Sequence, residues 1–330
     1  MYHRIFNGST ILQLLVVFIT AILLWTPAFA HSVPMQLNDM VSPFYSSIYN
    51  LFKDSPLLYT FIAFILLLGE SFLLNNLIEN YGLSPKNSYQ TAFWYIILMS
   101  SFRDQLTLHP QLFVNLLIIL VLLMIFRTAT KEECYKEIFL AGFLIALSSL
   151  FFFKSVGIFV AFWIFLVVLQ IYTWREWVIL LIGFCSVYLY LFTYYLYFDN
   201  VFVAISTYRH FFQTLSLLPN FQQISLLPLF TKITIALISF LSAISIIKIL
   251  FIINEKIVYI RKNTLILIWL SVISLITTLF LNSEQLSNFY FLSFPLSILI
   301  SYYYSSVKKL IFSEFLFILL IVSLVFQRFL

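Results

Sequence analysis

Between Leu57 and Leu77 the chain runs for twenty-one residues with a single charge, Glu70, and comparable apolar runs recur from Ile11 to Phe326. About 20 apolar residues in a helix span the roughly 30 Å hydrocarbon core of a bilayer. Every backbone N–H and C=O in lipid must be satisfied internally, which leaves helices or closed barrels. Barrel strands alternate in polarity over segments of about ten residues, whereas these runs are unbroken. Composition points the same way: 62% of the 330 residues are hydrophobic and 9% are charged, against about 25% charged in soluble domains. The expectation is an all-α integral membrane protein without a soluble domain.

Eleven crossings are predicted, at about Ile11–Ala30, Leu57–Leu77, Gln90–Phe102, Gln111–Phe126, Ile138–Phe153, Ser155–Tyr172, Trp177–Phe198, Thr231–Ile253, Asn263–Leu281, Leu286–Tyr304 and Leu310–Phe326. The first ends in Ala28-Phe29-Ala30, which resembles a signal-peptidase site, but its length favours an uncleaved span. Two polar segments interrupt the series. His31–Pro56 carries apolar residues at helical spacing over Val41–Phe52, and Asp199–Phe230 repeats the pattern around Arg209 and His210, so both are expected to lie on the membrane surface.

The third crossing organises the chain. Gln90–Phe102 has 13 residues, about 20 Å of helix, which is too short for the bilayer. Its C-terminal elbow, Arg103 to Pro110, must therefore sit in protein or in a wet cavity. A second elbow follows at Lys154-Ser155-Val156-Gly157. With the N-terminus in the cytoplasm, twelve of the 18 Lys and Arg residues fall inside, among them Lys131, Lys136, Arg261 and Lys262, and six fall outside. The positive-inside rule then gives N-in and C-out, with both elbows and both polar segments on the outer side.

Several residues could carry chemistry, each with a plainer alternative. Asp39 is a general base at the membrane surface or the cap of the helix after it. Glu70, mid-span, costs at least about 2.5 kcal/mol as a charge, and is either a site or proton-handling acid or a partnered packing residue. Arg103, Asp104 and His109 share one elbow and could bind phosphate, hydroxyl or cation, or form a solvated turn. Lys154, Arg209 and His210 cradle a lipid-linked phosphate or snorkel to headgroups. The scattered net charge of +5 gives no nucleic-acid stripe. Cys134 and Cys185 form no CxxC pair, so no structural metal site is expected. Gly-rich phosphate loops, GxSxG and HExxH are absent from the sequence.

The layout over roughly residues 1–200 resembles the GT-C superfamily, polytopic glycosyltransferases that use polyprenyl-phosphate-linked sugars. The resemblance lies in Asn38-Asp39-Met40 before the surface segment and in the short third helix with its elbow. It continues in Leu108-His109-Pro110-Gln111-Leu112 leading to Ile125-Phe126-Arg127, in Leu140-Ala141-Gly142-Phe143-Leu144, and in Phe153-Lys154-Ser155. It implies a GT-C-like module over 1–200, with 201–330 adding the second amphipathic segment and four C-terminal helices. It further implies sugar transfer from a polyprenyl-phosphate donor at the outer face of a bacterial-type inner membrane, with Asp39 as base and Asp104 and His109 in the active site. Glu70, Arg103, Lys154, Arg209 and His210 would then bind substrate. Such an enzyme leaves a divalent cation open as cofactor and takes membrane lipids as partners. The chain departs from the pattern in carrying His109, where an acid commonly precedes Pro, and a single acid at Asp39. The alternative is a non-catalytic membrane subunit in envelope assembly or transport that keeps the layout without the chemistry.

Overall fold

The computed structural model of the protein describes residues 2–6, 8–35, 43–129, 134–199, 228–280, 289–306 and 310–329. Among the described residues 85% are helical and none lies in a strand. The helices are α1 (Tyr2–Phe6), α2 (Thr10–Ala30), α3 (Pro43–Phe52), α4 (Pro56–Asn80), α5 (Gln90–Met99), α6 (Pro110–Thr128) and α7 (Tyr135–Ser149). They continue with α8 (Gly157–Leu169), α9 (Trp174–Tyr197), α10 (Leu229–Ile252), α11 (Val258–Phe280), α12 (Phe289–Ser306) and α13 (Leu310–Phe329). Each predicted crossing contains a helix. Among the described residues six helices are long and apolar enough to cross a membrane: α2, α4, α6, α9, α10 and α11. Of the five other predicted crossings, two rest on α12 and α13, with 18 and 20 residues, and three fall short because their helices have 10, 15 and 13 residues, in α5, α7 and α8. At 1.5 Å per residue these reach only about 15–23 Å.

The short helix is the centre of the bundle. Every residue of α5 is buried, and α2, α4 and α12 pack around it. An all-apolar helix is stable in that position because each of its faces meets protein. The same holds for α12, buried from Tyr290 to Tyr304. The backbone donors at the start of α5 are met by side chains from its neighbours. Gln13 of α2 accepts from the Tyr89 amide at 3.0 Å, Asn75 of α4 from Ala92 at 3.3 Å, and Glu79 from Asn87 at 2.7 Å. These contacts replace the caps that the turn before α5 does not supply itself.

The N-terminal residues belong to this core. Tyr2 stacks within 4.7 Å of Tyr304 and 5.2 Å of Phe317, and its hydroxyl accepts from Trp94 Nε1 at 3.0 Å. Gln13 donates to Phe6 O at 2.9 Å, and Trp25 donates to Ser100 at 3.0 Å.

The outermost helices show apolar side chains outward, as α2 does with Ile11, Leu15, Ile19 and Leu23. Helix α9 carries exposed aromatics at both ends, Tyr172 and Trp174 at one and Tyr190, Tyr194 and Tyr197 at the other. Trp174 and Tyr197 are about 35 Å apart along the axis, the separation of two aromatic belts across a bilayer. Helix α9 is held to α7 by two glycines facing each other's backbone. A Cβ on Gly142 would stand 2.4 Å from Leu180 O, and one on Gly183 would stand 2.3 Å from Phe139 O. Small residues allow such backbone approach where no hydrophobic effect drives helices together.

Candidate functional site

The elbow after α5 forms because Ser100 and Ser101 end the helix and Pro110 starts the next, with His109 extended before it as Pro requires. A single 3-10 turn, Arg103–Gln105, lies between them. Arg103 and Asp104 are exposed, while Gln105, Leu106, Thr107, Leu108 and His109 are buried. Gln105 accepts from the Phe102 amide at 3.1 Å. Two tyrosines from distant segments donate to elbow carbonyls: Tyr290 to Asp104 O at 3.0 Å and Tyr45 to Leu108 O at 2.7 Å. The His109 ring lies 4.8 Å from that of Tyr290 and bonds through Nδ1 to Gln111 Oε1. Burial pushes its pKa down to about 4, against the smaller opposing effect of Gln111. The imidazole is therefore neutral across the physiological range.

Helix α3 joins this elbow to the end of α7. The Phe44 amide donates to Leu150 O at 3.4 Å, and the Phe44 ring meets Phe151 edge-on at 5.6 Å. Phe151 in turn stacks on Phe113 of α6 at 5.2 Å. The second elbow is another 3-10 turn, Phe153–Val156, tied to α7 by Ser148 and Ser155 at 2.9 Å. One short helix thus touches, through adjacent residues, the first elbow and the end of α7 that leads into the second.

A second polar group lies inside the bundle. Glu70 is fully buried on α4, and Tyr95 of α5 donates to its Oε2 at 2.5 Å. Asn115 of α6 donates to the Tyr95 hydroxyl at 3.3 Å and to Met99 Sδ at 3.6 Å. Glu70 Oε1 and Asn115 Oδ1 are buried without a hydrogen-bond partner, as is Gln111 Nε2 one turn earlier on α6.

Of the residues singled out from sequence, the elbow brings Arg103, Asp104 and His109 together, but with opposite exposure. Glu70 belongs to the separate interior group. Lys154 lies in the second elbow's turn by its backbone. Asp39, Arg209 and His210 lie outside the described residues, as does most of the second amphipathic segment. Sequence reasoning missed Tyr45, Tyr95, Asn115 and Tyr290. Gln111 and Asn115 did carry a signal, being polar and one helical turn apart in an otherwise apolar span. Among the described residues no three His, Cys, Asp or Glu side chains stand together as metal ligands.

Fold and site together define an all-helical, multi-pass membrane protein built around a short enclosed helix and a buried polar centre. The chain belongs to a family of unknown function (DUF6427), whose model matches residues 40–330. No curated protein matches the chain. No solved structure matches it either.

Proposed function

We propose that this protein is a membrane glycosyltransferase of eleven crossings and GT-C-like layout, moving a sugar from a polyprenyl-phosphate donor to an acceptor at the outer face of the inner membrane. Its N-terminus is cytoplasmic and its C-terminus periplasmic. The observation that carries this reading is the grip of α3 on the first elbow and on the end of α7 that leads into the second, through Tyr45 on Leu108 O and Phe44 on Leu150 O. Asp39 precedes Phe44 by five residues, about 17 Å of fully extended chain. The reading requires Asp39 to reach the exposed Arg103 and Asp104 and the turn holding Lys154. In this reading Asp39 takes the acceptor proton, which needs hydrogen-bond reach in the substrate complex. Arg103, Lys154, Arg209 and His210 supply charge-assisted contacts to the donor phosphate. Neutral, enclosed His109 shapes the elbow rather than titrating.

The test is transfer from a polyprenyl-phosphate sugar by the purified full chain. Asp39→Asn is expected to abolish transfer at unchanged protein level. Wild-type transfer by that variant would overturn the assignment. A second reading, a non-catalytic subunit of envelope assembly or transport, is favoured by one observation: the Asp104 and Leu108 carbonyls are occupied by tyrosines. Under it, Asp39→Asn leaves growth of dependent cells unchanged while loss of the protein does not.

A further inference from the structure

The interior acid raises a question of charge. Glu70 stands about 21 Å from the Pro56 end of α4 and about 15 Å from the Asn80 end, in a helix long and apolar enough to span a membrane. The elements packed on α4 are α2, α3, α5 and α6. Helix α2 contains no ionisable residue, α3 contains Tyr45 and Tyr49, and α5 contains Tyr95. Helix α6 contains Arg127, about 18 Å along the axis from Asn115, and is preceded by neutral His109. On α4 itself the other ionisable groups are Tyr59 and Glu79. No described cation therefore faces Glu70, and the group that touches it is a tyrosine hydroxyl.

The two unpartnered atoms on the groups bonded to the Tyr95 hydroxyl are of one kind. Tyr95 donates to Glu70 Oε2 and accepts from Asn115 Nδ2, which leaves Glu70 Oε1 and Asn115 Oδ1. Both are acceptors, both belong to groups bonded to the same hydroxyl, and both are sealed from solvent. Two unmet buried acceptors on groups that share one hydroxyl, one of them an acid, call for a small positive charge at that acid, since unmet buried acceptors and bare carboxylates are both costly.

We propose that Glu70, Asn115 and Tyr95 form a buried binding site for one small cation, held by Glu70 Oε1 and Asn115 Oδ1. Two sources share this chemistry. A proton on Oε1 would donate to Asn115 Oδ1, and a sodium ion would be coordinated by both oxygens. Either would neutralise the acid inside the bundle and lock α4, α5 and α6 at one point. The site involves none of the elbow residues of the transferase reading, and it gives Glu70 a cation in place of the substrate that the resemblance implied for it.

The experiment uses the purified full chain in detergent, with sodium chloride exchanged for choline chloride at constant ionic strength and with pH varied in sodium-free buffer. Thermal unfolding and the infrared carboxyl stretch are read for wild type and Glu70→Gln. With sodium as occupant, the wild-type melting temperature rises with sodium, and the neutral-acid stretch is absent in sodium. With a proton as occupant, wild type shows a neutral-acid stretch that Glu70→Gln lacks, and its melting temperature falls relative to that variant's as pH rises. In both cases Glu70→Gln loses the response. Should that variant fail to fold, Tyr95→Phe keeps the acid, removes its bonded hydroxyl, and is expected to shift the sodium or pH midpoint. The proposal is overturned by an ionised carboxylate with no sodium dependence, by a Glu70→Gln variant responding as wild type does, or by an unshifted Tyr95→Phe midpoint.

Discussion

At the scale of single residues, His109 shows how a side chain suited to chemistry is committed to structure. Its ring is enclosed at 8% exposure, bonded to Gln111 and packed on Tyr290. An unfolded histidine titrates near 6.5, and this one titrates near 4 when folded. Between those values the unfolded chain binds the extra proton, so stability rises with pH through the window and is flat below it. The folded state should thus lose stability as pH falls from 6.5 towards 4, by roughly 3 kcal/mol at most. In His109→Asn that part of the pH dependence should vanish, as melting curves in detergent across the window would reveal. Tyr45→Phe offers a companion measurement. Losing its bond to Leu108 O costs about 1 kcal/mol and leaves a buried carbonyl unmet. The resulting drop in melting temperature should accompany weaker protection of the elbow amides in hydrogen exchange.

At the scale of elements, the α7–α9 pair depends on two glycines rather than on interlocking bulk. Their virtual Cβ atoms meet backbone carbonyls, which cannot rotate aside as side chains can. Gly142→Val or Gly183→Val should therefore separate the helices, costing about 3 kcal/mol or more, seen as lost folded yield and a lowered melting temperature. Gly69 is the internal control. Nothing lies within 4 Å of its added Cβ, so Gly69→Ala should be neutral or stabilising by up to about 1 kcal/mol through helix propensity. Equal damage from all three substitutions would show that packing of α7 on α9 is not the sensitive feature.

At the scale of the whole molecule, the N-terminal helices are part of the bundle. Tyr2, Gln13 and Trp25 each make a buried or half-buried hydrogen bond to the turn before α5, to α5 itself, or to the residue that ends it. Release at Ala30 would remove all three and open the face of α5 that α2 covers. Intact mass of the purified protein should accordingly include residues 1–30. A mature chain starting at His31 would contradict this packing. Reporter fusions test the proposed orientation independently, with the segment 256–262 expected on the cytoplasmic side.

The sequence by itself determined where the helices and elbows lie. Long apolar runs can satisfy their backbone in a membrane only as helices, and Pro110, with its fixed φ and missing N–H, starts α6 one residue before the expected Gln111. The short α5 was legible from its length, and Glu70 was marked by its cost in an apolar run. What only the tertiary structure decided is which polar groups meet: Glu70 with Tyr95, Asn115 with Tyr95, and Tyr290 with Asp104 across 186 residues. It also decided which face of each helix turns inward. On α4, Phe61 and Leu73 are exposed while Leu67 and Leu74 are buried, although all four are equally apolar. In a soluble helix that choice is written as an amphipathic stripe. In a membrane, lipid tails are as apolar as a protein interior, so the pattern is erased, and close packing together with a few buried hydrogen bonds selects the face instead.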